Sequence, residues 1–179
     1  MKRLLALAAL LLPLLLAQPS VAGPGDVTFA AGILAPYDAD TGKSAFGWHL
    51  TYAVGITDRF ELGAMYTKSG NYEGVNNLTQ GEVEVSTLLI QGRCTLTNIG
   101  DGRLFMDLGG GMMDVDPKGP SVTENRPGAA VRIGIGMDHP AGPFDLRLGI
   151  GYTRGIGRTS EIDMLETSLS ILFGREDHK

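Results

Sequence analysis

The sequence has few of the residues that mark many common protein classes. It contains one cysteine, Cys94, so no disulfide can form within the chain. It has no cluster of lysine and arginine and carries a net charge of −5, which argues against nucleic-acid binding. After Ala22 no apolar run is long enough for a spanning helix, and no segment shows helical periodicity. These absences favour an all-β chain without disulfides.

The first 22 residues have the pattern of a secretory signal peptide. Lys2 and Arg3 precede an apolar run that ends at Ala17, and the small residues Ser20 and Ala22 follow at the spacing of a cleavage site. The run is short for a membrane anchor and contains Pro13. We expect residues 1–22 to be removed on export and residues 23–179 to form one domain.

Glycine and an alternation with a period of two dominate the rest of the chain. There are 26 glycines, and eight segments place apolar residues at every second position. None of these apolar positions is charged, although 20% of the whole chain is. Each segment therefore predicts a strand with one oily face. The eight apolar phases are Val27–Ile33, Phe46–Ile56, Phe60–Tyr66, Leu88–Leu96, Leu104–Met112, Ala129–Met137, Phe144–Tyr152 and Leu165–Phe173.

The opposite phase of the same segments combines glycines with charges of both signs. We expect it to face a narrow lumen, where glycines leave room for a few long side chains. Buried charges must be paired, so the carboxylates are predicted to pair with Arg93, Arg132 and Arg147. Such a network would brace and plug a barrel, or alternatively line a narrow polar path. The predicted lumen network is His49, Glu61, Arg93, Asp107, Arg132, Asp145, Arg147 and Glu166.

The connections between the segments are alternately long and short. Antiparallel hairpins would then place all long loops at one end and the short turns and both termini at the other. This favours an eight-stranded antiparallel transmembrane β-barrel over the alternative, a soluble lipocalin-like barrel with its oily face inside. Aromatic residues near the ends of the oily faces support the membrane model, because interfacial girdles are aromatic. They include Phe46, Trp48, Phe60, Tyr66, Phe144, Tyr152 and Phe173.

Three stretches give the sequence a family resemblance. The signal peptide, the hairpin "YAVGITDRFELGAMY" from Tyr52 to Tyr66 and the last strand "LETSLSILF" resemble the small Gram-negative outer-membrane barrels of the OmpA, OmpX and OmpW type. The resemblance implies a bacterial outer-membrane location, contact with outer-membrane lipids, and recognition of the strand ending at Phe173 by the barrel-assembly machinery. In this chain, "GREDHK" follows Phe173.

Motifs for catalysis or cofactor binding are not evident in the sequence. Of the three histidines, His49, His139 and His178, none has a serine and a carboxylate at a spacing that suggests one site. The acid pairs in "DADTG" and "DVDPKG" fit turns better than calcium loops. We expect no enzyme activity, cofactor or metal, and a structural or surface-interaction role with partners outside the cell. The alternatives are a narrow channel or lateral-diffusion transporter and a soluble periplasmic ligand-binding barrel.

Overall fold

The computed structural model describes residues 23–38, 42–70, 72–73, 82–117 and 125–173. The predicted signal peptide, residues 1–22, lies outside these ranges. Within them, no helix is long and apolar enough to cross a membrane. A 3₁₀ turn, Gly157–Thr159, precedes the last strand. The strands are β1 Val27–Asp38, β2 Gly47–Thr57, β3 Phe60–Ser69, β4 Tyr72–Glu73, β5 Glu82–Ile99, β6 Gly102–Pro117, β7 Arg126–Pro140, β8 Asp145–Ile156 and β9 Asp163–Phe173.

The strands close into one antiparallel barrel. Their order is β3-β2-β1-β9-β8-β7-β6-β5, and the ring is completed where β3 pairs with β5. The two-residue strand β4 lies beside the start of β5. Eight long strands therefore form the wall, which confirms the predicted eight-stranded antiparallel barrel. Such closure leaves no long sheet edge with unpaired backbone groups.

The connections segregate to the two ends of the barrel, as predicted. Residues 58–59, 100–101 and 141–144 make short turns at the end where β1 begins and β9 finishes, here called the turn end. Strands β1, β3, β6 and β8 end, and strands β2, β5, β7 and β9 begin, at the opposite end of the barrel, here called the loop end. Positive φ angles at Gly100 and Gly142 allow the backbone of two of these short turns to reverse.

The outside of the barrel is apolar. Large side chains at its surface include Phe46, Ile90 and Met112, each more than 60% exposed. Aromatic pairs mark the two margins of this apolar surface. The ring centroids of Trp48 and Tyr66 lie 5.3 Å apart towards the loop end, and those of Phe144 and Phe173 lie 6.5 Å apart at the turn end. This outward apolar face is the opposite of a soluble barrel with an oily interior, so the lipocalin-like alternative is wrong.

The exposed aromatic residues of β1 are separated by slightly less than the height of a typical apolar band. Phe29 and Tyr37, both exposed on β1, are eight residues apart, or about 26 Å along the strand. A barrel strand is tilted, which shortens this to about 20 Å along the barrel axis. The apolar bands of outer-membrane barrels are about 25 Å tall.

One predicted oily position faces inward instead. The alternation predicts Leu96 on the lipid side of its strand, yet it is 7% exposed, and its neighbour Thr95 is also buried. The register between β5 and β6 shifts between Thr95 and Thr97. An extra residue in one strand reverses the facing of the residues beyond it. The prediction is wrong because alternation alone does not reveal a bulge.

The interior changes character along the barrel. The predicted charges lie in the middle and towards the turn end, whereas an apolar cluster fills the loop end. The predicted lumen phase, which is small and charged throughout, does not include this cluster. It forms because the inward positions of β5 and β6 become apolar where these two strands run on toward the loop end. Its members are Val83, Val85, Leu89, Met113, Val115, Ala130, Ile162 and Met164, here called the apolar cap.

Candidate functional site: the charged lumen

Three neighbouring strands carry a row of alternating charges across the lumen wall. Glu61 on β3 is the register partner of Arg93 on β5, which is in turn the partner of Asp107 on β6. The Arg93 guanidinium donates to the Glu61 carboxylate at 3.2 Å. All three residues are buried within the barrel. Cross-strand pairs of opposite charge stabilise a sheet, and burial makes this pairing obligatory.

Arg132 on β7 extends this row to the far side of the lumen. Its Nη1 donates to Asp107, and its Nε donates to Glu166 on β9 at 3.1 Å. The guanidinium lies over Gly134 and Gly151, where any Cβ would approach its atoms more closely than real Cβ contacts do. Glycine at these lumen positions therefore makes room for an arginine bridging two carboxylates.

Arg147 pairs with a residue outside the predicted lumen network. Its guanidinium donates to both oxygens of Asp138, at 2.6 and 2.8 Å, and both side chains are buried. The sequence pattern places Asp138 in a turn, but β7 continues to Pro140 and makes Asp138 the register partner of Arg147. A bidentate pair of this kind fixes both orientation and charge.

Asp145 is predicted to pair with one of the three lumen arginines. The structure instead joins its carboxylate to Arg103 on β6 at 2.7 Å. Asp145 is the first residue of β8, and Arg103 is near the start of β6, so both lie at the turn-end rim. The predicted partner is wrong because Arg147 pairs with Asp138, which is absent from the predicted lumen set.

An aromatic ring separates two of the arginines. Phe105 is 3% exposed, and the guanidinium carbons of Arg93 and Arg147 lie 4.6 and 4.8 Å from its ring centroid. Both distances fall within the range of cation–π attraction. The ring fits because Gly136 has no side chain where a Cβ would meet it. Phe105 thus lies inside the barrel between two ion pairs.

His49 has a serine partner that its sequence position does not suggest. Its Nε2 and the Ser170 hydroxyl are joined by a hydrogen bond of 2.7 Å between β2 and β9. The other ring nitrogen, Nδ1, has no hydrogen-bond partner among the described residues. Catalytic triads orient the histidine through a carboxylate on that nitrogen. In the part of the chain that is described, no group of three or more His, Cys, Asp or Glu is arranged to hold a metal ion.

Little free space remains among these side chains. A cavity of about 20 Å³ lies between His49, Arg93, Phe105, Arg132 and Arg147. That is enough for about one water molecule. Gln91, a further buried lumen residue, is not selected from the sequence although it has the same inward phase. The eight predicted lumen residues are therefore inside the barrel or at its rim, joined by Asp138, Arg103, Phe105 and Ser170.

A shallow apolar groove of about 430 Å³ lies on the outside of the same wall. Gly149 and Ser168 line both this groove and the inner cavity. These two residues are register partners in the continuous pairing of β8 with β9. A lateral route from lumen to lipid would require the two strands to separate at this point.

The fit of Arg132 against glycine leads to a prediction. Gly151→Val should destabilise the barrel by about 1–3 kcal/mol, because the new side chain displaces the guanidinium that bridges Asp107 and Glu166. Gly110→Val is the matched control: Gly110 is exposed on the outer face, and a Cβ there would lie 3.8 Å from its nearest neighbour. Urea unfolding of both variants measures the difference, and equal stabilities would contradict the tight fit.

A closed eight-stranded barrel with an apolar outside and paired charges inside defines the fold class of small bacterial outer-membrane barrels. Solved structures agree. Neisserial surface protein A has a TM-score of 0.65 and 11% identity, over 83% of this chain and 95% of its own. Ail, the attachment invasion locus protein of Yersinia pestis, has a TM-score of 0.57 and 14% identity, over 84% and 99%.

A third structure points to the same fold. The N-terminal β-barrel domain of Pseudomonas aeruginosa OprF has a TM-score of 0.57 and 12% identity, over 84% of this chain and 98% of that domain. No protein-family model matches the sequence, and no curated protein matches it. The likeness to these three structures is therefore one of fold.

Proposed function

We propose that the protein is a bacterial outer-membrane barrel that acts as a closed scaffold and presents its loop end at the cell surface. The apolar belt between two aromatic margins supports placement in a membrane. The short turns and both ends of the barrel wall lie at one end, which would face the periplasm, as in outer-membrane barrels generally. The loop end would then face outward.

The observation that supports the scaffold role is the row of paired charges across the lumen. Five charged side chains in a row, Glu61, Arg93, Asp107, Arg132 and Glu166, extend from β3 to β9 across the interior. The cavity among them holds about one water molecule. Such packing supports a bracing network that plugs the barrel. It does not support a polar path that conducts.

A role in surface contacts fits the loop end. The ends of the strands there carry partly exposed ion pairs, including Lys68 with Glu84 at 2.8 Å and Arg126 with Glu161 at 3.3 Å. Two of the structures with this fold are named as a surface protein and an attachment protein. We propose that the loops of this chain likewise contact molecules outside the cell.

Conductance separates the scaffold from a channel. We expect the purified protein in a planar lipid bilayer to show no steady ionic current, because the cavity among the ion pairs has room for about one water molecule. Insertion is verified independently by heat-dependent gel mobility of the reconstituted protein. A steady, ohmic current from verified folded protein would overturn the proposal and favour the channel. Recovery in the soluble periplasmic fraction would overturn the membrane location itself.

A further inference from the structure

The connection between β8 and β9 folds inward over the loop end of the barrel. It is short, and its 3₁₀ turn begins at Gly157, whose φ of 73° reverses the chain. Two residues of this connection are almost completely buried: Thr159 is 0% exposed and Ile162 is 2% exposed. A surface loop would normally leave its residues in water. Here two side chains of the connection belong to the interior.

Thr159 fits into a notch in the barrel wall. Its hydroxyl lies 3.1 Å from the carbonyl oxygen of Ala129 on β7, to which it donates a hydrogen bond. Gly128 and Gly155 form the sides of the notch, and a Cβ on either would collide with Thr159. Backbone bonds from Gly155 to Ile162 and from Ile162 to Thr159, each 2.9 Å, hold the turn in shape. The notch and the threonine together form a latch.

The latch holds the apolar side chain of Ile162 in position. With Met164 it joins the apolar cap defined above, whose members on β5 and β6 come from the opposite side of the lumen. The strands β5 and β9 are not neighbours in the ring, so this contact crosses the bore. Water and ions do not readily occupy a narrow apolar constriction. The cap is therefore a barrier of different chemistry from the ion pairs below it.

We propose that the β8–β9 connection is a latched cap, held by Thr159, that seals the outer mouth independently of the charged network. Two barriers in series then close the lumen: an apolar one controlled by a loop, and a charged one controlled by ion pairs. The inference goes beyond the scaffold role, because it concerns access from the loop end and not conduction through the barrel.

Thiol accessibility provides the test. Thr153 is 0% exposed, its hydroxyl has no hydrogen-bond partner among the described residues, and it lies between Arg132 and Met164 in the sheet register. A Thr153→Cys reporter at this boundary is nearly isosteric. Combined with Cys94→Ala it carries the only thiol in the chain. A charged, membrane-impermeant methanethiosulfonate reagent is added from outside to cells displaying the protein, and the rate of modification is measured.

With the cap intact we expect slow modification. Thr159→Ala or Gly128→Val should raise the rate on the order of tenfold or more, because each releases the latch. Ser160→Ala, at an exposed position of the same loop, is the matched control and should leave the rate unchanged. The paired variant Glu61→Gln with Arg93→Met, which removes one ion pair below the reporter, should also leave it unchanged.

Gel mobility confirms that each variant is folded before its rate is compared. Rapid modification with the cap intact would overturn the proposal, as would acceleration by the ion-pair variant but not by either latch variant. A steady current from the unmodified protein would contradict both the closed scaffold and the seal, whereas rapid modification without any current would contradict the cap alone.

Discussion

Arg132→Met is expected to destabilise the barrel by about 3–5 kcal/mol, the largest effect of any single lumen change. Arg132 contacts two carboxylates, Asp107 and Glu166, and all three side chains are buried. Methionine fills much of the space but leaves two acids without their shared cation in a confined interior. Breaking a buried ion pair on one side costs more than removing both sides.

Urea unfolding in lipid vesicles measures this loss, and Trp48, the sole tryptophan, reports on it from the outer face. Arg154→Met is the control: its side chain is 56% exposed, its distance to Asp163 is 3.7 Å, and we expect a loss below about 1 kcal/mol. Adding Asp107→Asn and Glu166→Gln to Arg132→Met should recover part of the stability. Equal losses for Arg132→Met and Arg154→Met would show that the lumen is hydrated rather than packed.

Ile135→Arg should cost roughly 2–4 kcal/mol, because it places a charge on the lipid face near the middle of the apolar band. Ile135 is 48% exposed, and its register partners Met106 and Ile150 face the same way. An arginine there has no lumen to enter and no nearby interface to reach with its side chain.

Ala129→Arg tests the same strand and face nearer the loop end, where we expect a cost of about 0–1 kcal/mol. The comparison uses unfolding in vesicles of defined thickness. Membrane placement predicts a clear dependence on depth, with the larger loss at Ile135. If both arginines were tolerated equally in vesicles, the outer face of β7 would not be in contact with lipid.

The sequence predicts the architecture well because its strongest signal, the alternation, shows on which side of the sheet each side chain lies. A side chain in a strand faces one side or the other, so Phe46–Ile56 or Leu165–Phe173 reveals an oily face without any partner being known. The predicted lumen residues follow from the same rule, since Glu61, Arg93 and Arg132 have the opposite phase on strands whose oily phase is clear. Short and long connections then give the direction of each strand.

Pairing within the lumen could not be predicted in the same way. Asp138 is missed because the sequence pattern ends β7 too early, and with it the partner of Arg147 is missed. Ser170 meets His49 only because β1, which lies between their strands, has a glycine at position 32. Such contacts depend on the register and on which strands lie next to each other. Neither can be derived from the alternation of polar and apolar residues in one strand. The bulge that turns Leu96 inward has the same origin.

The ion pairs described above join β3, β5, β6, β7, β8 and β9, and a hydrogen bond between His49 and Ser170 joins β2 to β9. We expect the mechanical strength of the barrel to differ around its circumference. A lateral load would be resisted by side-chain cross-links over most of the circumference, but by backbone ladders at the β1–β2 arc. We expect this arc to be more compliant than the rest of the wall, with larger thermal fluctuations there.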